Sequence, residues 1–309
     1  MNRKITLRPR RNLRKGVYII PSLLTTGNIF AGFYAVIQAL KALQVISAGG
    51  PDATVQAAIL FDAGAKAIGW AVLLDALDGR IARLANAASD FGVEFDSLAD
   101  VLSFGIAPAV LAFAWGYGGI PQLNKMAWAA SFLYLICGAL RLARFNVSAH
   151  KPQKPTEVNP AKLDKKQFVG LPIPAGAGVI AAIIHFSPMP IGMGDRVMQV
   201  GSWPIAVSGF SLSVFMLLLM IAIALLMVST VRYSSFKGAG PHTRNPRLLI
   251  ILITVGFAAV WFYSQWTLLV LSSLYAIHGV VGKLWSLARR RPAAAADQTD
   301  LPVEHQSTR

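Results

Sequence analysis

Long apolar runs, separated by shorter polar and charged segments, extend over most of this chain. Runs close to the length that crosses about 30 Å of hydrocarbon are typical of transmembrane helices. The last two runs are joined only by the sequence YSQW, so they should form a tight helical hairpin, residues 247–286. The pattern predicts an all-α integral membrane protein with eight transmembrane helices, at residues 17–39, 56–76, 95–118, 126–144, 170–187, 204–231, 247–263 and 266–286.

Composition agrees with a membrane location, and the distribution of charge predicts an orientation. Charged residues make up 14% of the 309 residues, compared with about 25% in soluble proteins. If the N-terminus is inside, 25 of the 29 Lys and Arg residues fall in cytoplasmic segments, where such residues concentrate. We therefore expect a multi-pass protein of the inner (cytoplasmic) membrane with both termini in the cytoplasm.

The basic residues lie beside the predicted helices and not in a soluble domain. Their expected partner is anionic lipid and not nucleic acid. Residues 1–16 are expected to form a basic cytoplasmic arm, and the polar residues 287–309 a disordered cytoplasmic tail. The Pro- and Lys-rich loop 147–167 is expected to be mobile.

Carboxylates are concentrated where the second predicted helix ends, at Asp75 and Asp78, and where the third begins, at Asp96 and Asp100. Six of the chain's 14 acidic residues lie between positions 75 and 100. Asp75 and Asp78 are three residues apart and Asp96 and Asp100 are four apart, so each pair shares one helix face. If the two helices are neighbours, four carboxylates converge on a small volume at the cytoplasmic boundary.

Such a cluster requires positive charge, because burying unpaired carboxylates costs several kcal/mol. Two divalent cations bridged by the carboxylates would supply it, and hard oxygen ligands favour Mg²⁺ or Mn²⁺. Asp90 and Glu94 lie off the two pairs and are interpreted as solvated loop charges.

Two other interpretations of the acidic residues remain open. They can be helix-end acids that Arg80 and Arg83 neutralise, although ionisable residues in membrane segments usually mark functional sites. Convergent carboxylates also occur in cation transporters, but there they lie near the bilayer midplane on discontinuous helices.

Small residues and one arginine accompany the carboxylates. Gly79 and Ala82 follow Asp78, and Gly92 precedes Asp96. Side chains this small let a flat base or a phosphate approach the backbone closely. Arg83 is in the same helical turn and offers a fork of donors to phosphate.

Together these residues form the pattern Asp75-x-x-Asp78-Gly79-x-x-Ala82-Arg83, eight residues, Gly92-x-x-x-Asp96-x-x-x-Asp100. The pattern resembles, without a departure, the signature of the CDP-alcohol phosphatidyltransferase family. The resemblance implies a membrane enzyme with a six-helix core, here residues 17–231, and leaves the last two helices outside that core. It also implies a homodimer, and a cytoplasmic site in which the four aspartates bind two metal ions and the CDP pyrophosphate.

The resemblance implies roles for individual residues as well. Asp75, Asp78 and Asp96 would hold the metals, whereas Asp100 would accept the proton of the attacking hydroxyl and also touch a metal. Asn28, with Thr25 and Thr26, can touch the nucleotide or simply bond to neighbouring helices. The expected CDP site comprises Asp75, Asp78, Gly79, Ala82, Arg83, Gly92 and Asn28.

Three further stretches resemble the branch of the family that joins CDP-diacylglycerol to L-serine: residues 16–35, GALRLARFNV (138–147) and FVGLPIPAGAG (168–178). Arg141, Arg144 and Asn146 are the candidate serine- or phosphate-binding residues, since an arginine binds a carboxylate bidentately. The arginines can equally be anchors that snorkel to the interface. Another acceptor, such as glycerol 3-phosphate, stays open because the signature is shared. Pro172 and Pro174 are expected to open the fifth helix.

Overall fold

The computed structural model describes residues 19–84, 90–149, 168–191, 196–200, 203–233 and 246–289. The predicted basic arm, most of the loop 147–167 and nearly all of the predicted tail lie outside the described residues.

Each of the eight apolar stretches coincides with helical structure. The third stretch is one continuous helical rod, built from α3 (Asp90–Asp100), a π-helical segment (Val101–Ile106), α4 (Ala107–Ala112) and a second π-helical segment (Phe113–Tyr117). The other helices are α1 (Ile19–Ala48), α2 (Ala53–Leu84), α5 (Asn124–Ala149), α6 (Ile173–Phe186), α7 (Gly209–Val228), α8 (Pro246–Phe262) and α9 (Ser264–Arg289).

Six helical segments within the described ranges are long and apolar enough to cross a membrane. They are Leu23–Ala48, Ala53–Ile81, Phe91–Tyr117, Pro121–Val147, Gly209–Val228 and Ser264–Trp285, and α6 is a shorter apolar helix. The prediction of a helical, multi-pass membrane protein is therefore confirmed. The count of eight spans and the cytoplasmic placement of both termini stay predictions.

The second and third helical segments extend further than their apolar runs. α2 continues to Leu84, so Asp75 and Asp78 lie within the helix and not at its end. The interpretation of Asp90 and Glu94 as loop charges was wrong, because both belong to α3. Each apolar run ends at the first polar turn, whereas the backbone hydrogen bonds continue the helix through that turn.

Two short antiparallel β pairs connect the helices, and the pattern of apolar runs does not predict them. The strand β1 (Phe168–Val169) pairs with β4 (Arg232–Tyr233), and β2 (Arg196–Val200) pairs with β3 (Trp203–Val207). β3 occupies the start of the helix predicted at 204–231. α7 begins only at Gly209, where the Ser208 hydroxyl accepts the N–H of Phe210 and caps the helix.

α1 packs closely against the helical rod that carries Asp96 and Asp100. A Cβ atom added to Gly32 would lie 2.5 Å from Ser103 Oγ and 2.6 Å from Ser103 Cα, so only glycine fits there. The Ser103 hydroxyl donates to the carbonyl oxygen of Asn28 over 2.9 Å. Small residues allow this backbone approach, as is usual between membrane helices.

The segment before α6, at Gly170, packs closely against the end of α7. Gly170 has a φ of +85°, and a Cβ there would overlap the carbonyl of Met227. Its N–H donates to the carbonyl of Val231 over 2.8 Å. Pro172 and Pro174 then open α6, as predicted, with Pro172 as the N-cap.

A chain of polar side chains joins α2, α6 and α9. Nδ1 of His185 lies 2.5 Å from Asp62 Oδ1, and its Nε2 lies 2.9 Å from Ser264 Oγ. Lys66 Nζ pairs with the other oxygen of Asp62 over 2.7 Å. Asp62 precedes Asp75 by 13 residues on α2, so this network is about 20 Å from the carboxylate cluster.

Candidate functional site

Three of the four predicted carboxylates meet between α2 and α3. Asp75, Asp96 and Asp100 each offer an oxygen, and these atoms all lie within 4.8 Å of one another. Asp96 and Asp100 are one helical turn apart on α3, which sets their side chains on one face. All three side chains are half-buried. The cluster can bind a metal ion.

The fourth carboxylate, Asp78, is held differently. It is buried, with 6% of its surface exposed, and its Oδ2 accepts a short hydrogen bond from the Thr25 hydroxyl of α1. Its Oδ1 is buried and has no hydrogen-bond partner. One oxygen is therefore fixed by the protein while the other remains available.

The four carboxylates form one electrostatic unit, because each interacts repulsively with the other three. Oδ1 of Asp100, like Oδ1 of Asp78, is buried without a hydrogen-bond donor. Leaving several buried charges uncompensated is costly, and carboxylate oxygens are the ligands that hard divalent cations prefer. The residues present therefore fit a divalent metal ion.

The alternative in which Arg80 and Arg83 neutralise the acids can be compared with the structure only at Arg80. The Arg80 side chain is exposed at the end of α2.

Arg83 and Ala82 lie in the last turn of α2, and their side chains lie outside the described ones. Gly79 and Gly92 are half-buried, next to Asp78 and one turn before Asp96 respectively. The phosphate-binding role of these four residues stays a prediction.

Asn28 lies one turn from Thr25 on α1 and is completely buried. Neither its side-chain oxygen nor its side-chain nitrogen has a hydrogen-bond partner. Buried amides without partners are rare, since each unsatisfied group costs about 1–3 kcal/mol. A polar ligand group is one way to satisfy this amide.

Arg141 on α5 borders the cluster on another side. Its guanidinium interacts electrostatically with Asp100 and with Tyr275 of α9. The Nε atom is buried and has no hydrogen-bond partner. Whether Arg141 binds a ligand or anchors the helix at the interface stays a prediction.

The other two candidate acceptor residues are placed differently. Arg144, one turn further along α5, is exposed. Asn146 Nδ2 donates to Ser97 Oγ over 2.8 Å, and Ser97 Oγ in turn donates to the carbonyl of Val93 over 2.9 Å. Asn146 thus ties α5 to the helix that carries Asp96.

Sequence reasoning named Thr25 as a residue that can bond to a neighbouring helix but did not identify Asp78 as its partner, and it missed Tyr275. The Thr25 contact with Asp78 joins residues 53 positions apart, and the only available signal was a hydroxyl in an apolar run. Tyr275 comes from the last helix, which had no assigned role, and no sequence signal marked it.

Comparisons with known proteins agree with the sequence pattern. A family model described as CDP-alcohol phosphatidyltransferase matches residues 18–224. The chain is 30% identical over 284 residues to a Helicobacter pylori protein named CDP-diacylglycerol–serine O-phosphatidyltransferase, a match that covers 88% of this chain and 94% of that protein. Proteins of the same name match from Saccharomyces cerevisiae, at 36% identity over 61% of this chain and 63% of theirs, and from Methanocaldococcus jannaschii, at 30% over 68% and 79%.

Proposed function

Since this chain belongs to the CDP-alcohol phosphatidyltransferase family, we propose that it transfers the phosphatidyl group of CDP-diacylglycerol to the hydroxyl of L-serine and releases CMP. The observation that carries the proposal is the meeting of Asp75, Asp96 and Asp100 within 4.8 Å, with Arg141 beside Asp100. The names of the relatives support serine as the acceptor.

The four aspartates would hold two divalent ions, Mg²⁺ or Mn²⁺. Such ions, when bound, neutralise a pyrophosphate and polarise the phosphorus under attack. Asp75, Asp96 and Asp100 would contribute their converging oxygens, and Asp78 its free Oδ1. The hydroxyl of Thr25 fixes Asp78 by holding the other oxygen, so this ligand is oriented before substrate arrives.

Asp100 would act as the general base. The serine hydroxyl would give its proton to Asp100 while the serine oxygen forms a bond to the phosphorus that carries the diacylglycerol. The bond between that phosphorus and the oxygen that bridges the two phosphates would break, and CMP would leave. A hydroxyl is a weak nucleophile near neutral pH, and a positioned base typically contributes 10² to 10⁴-fold to the rate. The Oδ1 atom of Asp100, which no donor occupies, is available for this proton.

Arg141 would bind the carboxylate of serine. A guanidinium offers a planar fork of donors that matches a carboxylate. The buried Nε of Arg141 has no hydrogen-bond partner, so its N–H is available to such a ligand. Arg144 would contribute from the exposed edge of the site, and Asn146 would help to position α5 against α3.

The nucleotide would lie against α1, α2 and α3. The buried amide of Asn28 offers both a donor and an acceptor to a polar group of the CDP moiety. Gly79, Ala82 and Gly92 would leave room for the base and the phosphates, and Arg83 would bind a phosphate. By the distribution of Lys and Arg, this site would face the cytoplasm at the inner membrane.

The decisive experiment is an acceptor assay. Purified protein in detergent is given CDP-diacylglycerol, Mn²⁺ or Mg²⁺, and one of several labelled alcohols that include L-serine and glycerol 3-phosphate. The expected result is phosphatidylserine and an equal amount of CMP from serine, with no product from glycerol 3-phosphate.

The matched controls are Asp96→Asn in the cluster and Asp52→Asn in the exposed turn before α2. The first should lose activity and the second should retain it. If only glycerol 3-phosphate yields a product, glycerol 3-phosphate replaces serine as the proposed acceptor. Metal flux into liposomes without CMP release would favour a transporter.

A further inference from the structure

Two hydrogen bonds join α5 to the rod that carries Asp96 and Asp100. The Tyr134 hydroxyl donates to the carbonyl oxygen of Phe104 over 2.9 Å. Further along α5, and further back along the rod, Asn146 Nδ2 donates to Ser97 Oγ over 2.8 Å. The two segments therefore run in opposite directions past each other and are fastened at two points.

The proposed acceptor site lies between these two points. Arg141 follows Tyr134 and precedes Asn146 on α5, whereas Asp100 lies between Ser97 and Phe104 on the rod. The two hydrogen bonds therefore set how far the stretch of α5 that carries Arg141 lies from the turn that carries Asp100.

The two points are held by different forces. Tyr134 is 1% exposed and belongs to the apolar core. Near the end of α5, by contrast, residues 143–145 and Val147 are exposed, and Asn146 is half-buried. Apolar burial does little to hold this end of the helix, so the bond from Asn146 to Ser97 contributes a larger share.

The Ser97 hydroxyl is oriented to receive this bond. It donates to the carbonyl oxygen of Val93, one turn earlier on α3, over 2.9 Å. A hydroxyl has one proton and two lone pairs, so a Ser97 Oγ that gives its proton to Val93 can only accept from Asn146. The acceptor atom is thus fixed on a helix and directed at α5.

We propose that Ser97 is a positioning residue for the acceptor alcohol, because it holds the end of α5 at a set distance from α3. The inference rests on the proposed function, in which Arg141 binds the acceptor and Asp100 is its base. L-serine is short, so its carboxylate and its hydroxyl reach these two groups together only at one spacing. A misplacement of about 1 Å can cost about 10²-fold in rate.

The test is Ser97→Ala, which removes the oxygen that Asn146 binds. We expect the KM for serine to rise about three- to tenfold, the factor for one hydrogen bond between neutral groups. The KM for CDP-diacylglycerol and the Mn²⁺ concentration for half-maximal CMP release should stay within twofold. The reason is that α3 continues into the rod, which the contact between Gly32 and Ser103 fixes to α1.

Two further serine variants serve as controls. Ser97→Thr keeps the hydroxyl and should restore the wild-type KM for serine. Ser272→Ala removes a half-buried hydroxyl that donates to the carbonyl of Leu269 within its own helix, α9, and it should change none of the three constants.

A double-mutant comparison shows whether Ser97 acts through Asn146. In an Asn146→Ala background, Ser97→Ala should have little further effect on the serine KM, because the two residues work as one unit. Amide hydrogen exchange gives a readout that does not depend on the acceptor. In Ser97→Ala, the amides of residues 142–149 should exchange faster than in wild type, whereas in Ser97→Thr they should not.

Three results would overturn the inference: an unchanged serine KM in Ser97→Ala, a raised serine KM without faster exchange, or an equal rise in the KM values and the Mn²⁺ requirement. The last result would mean that α3 itself has moved. If wild type uses another alcohol, serine fails as the proposed acceptor, and the same measurements made with that alcohol still decide the role of Ser97.

Discussion

The hydroxyl of Tyr134 on α5 donates a hydrogen bond of 2.9 Å to the backbone carbonyl of Phe104. Pro108 lies four residues after Phe104 and has no N–H, so it cannot give that carbonyl its ordinary helical partner. A side chain from a neighbouring helix thus gives that carbonyl a donor in place of the one that Pro108 lacks. The replacement lies in the π-helical segment that directly follows Asp100, and π-helical segments are frequent at functional sites.

Removing this hydroxyl should destabilise the protein. In Tyr134→Phe the Phe104 carbonyl loses its Tyr134 partner inside the protein, which costs about 1–3 kcal/mol. We expect a lower thermal midpoint in detergent, measured by intrinsic fluorescence. Tyr34→Phe, at an exposed position on α1, should leave the midpoint unchanged. Equal midpoints for Tyr134→Phe and wild type would show that another donor satisfies the carbonyl.

Asp100, the proposed base, and Asp78, a proposed metal ligand, should respond differently to substitution. Asp100→Asn keeps the shape but removes the proposed base, so turnover should fall about 10² to 10⁴-fold while CDP-diacylglycerol binding stays measurable. Asp78→Ala removes a proposed metal ligand, so metal-dependent binding of the nucleotide should be lost as well. Rates of CMP release and binding of labelled CDP-diacylglycerol check both results. Similar, mild losses in the two variants would contradict these roles.

Thr25 should matter through Asp78. Thr25→Val keeps the shape of the side chain and removes the hydrogen bond that fixes Asp78 Oδ2. We expect the Mn²⁺ concentration for half-maximal CMP release to rise about tenfold, the factor for one hydrogen bond to a charged group. Thr25→Ser should restore it, because it keeps the hydroxyl. Thr54→Val, at the other end of α2, is the control, and a shift of the same size there would remove the link to Asp78.

Metal should stabilise the folded protein as well as activate it. A cation that binds between the four aspartates relieves their repulsion, and binding to the native state alone raises stability in proportion to the logarithm of metal concentration. Millimolar Mg²⁺ or Mn²⁺ should therefore raise the thermal midpoint of wild type after treatment with EDTA. Asp96→Asn should show a smaller rise. Full CMP release in excess chelator would rule out the metal-dependent mechanism.

The polar network of Asp62, His185 and Ser264 should hold the C-terminal hairpin without contributing to chemistry. His185→Ala breaks the links from α6 to both α2 and α9. We expect faster proteolytic cleavage near residue 263, while the KM for CDP-diacylglycerol changes less than twofold because the site is about 20 Å away. His278→Ala, exposed on α9, should cleave at the wild-type rate. Unchanged cleavage in His185→Ala would show that other contacts secure the hairpin.

Hydropathy located the helices, and the spacing of the aspartates predicted which faces they share. Both signals are local, since they depend on residues within one or two turns. The reach of α2 to Leu84 was missed because the helix continues through polar residues that a membrane span would exclude. The Thr25–Asp78 bond and the β1–β4 pair join distant segments. The sequence marks Thr25 as a polar residue that can bond to another helix but does not identify Asp78, and it carries no sign of the strand pair. Tyr275 was missed for the same reason, because its position depends on how Gly279 meets Tyr233.

The Gly32–Ser103 approach also restricts how a lipid substrate can reach the carboxylates. Where a single methyl group does not fit between α1 and the neighbouring rod, a fatty acyl chain cannot pass. The contact between α1 and the rod is therefore closed to diacylglycerol tails at the level of Ser103. The headgroup of the proposed substrate, CDP-diacylglycerol, would have to arrive from a different flank of the bundle, with its two tails left in the surrounding bilayer.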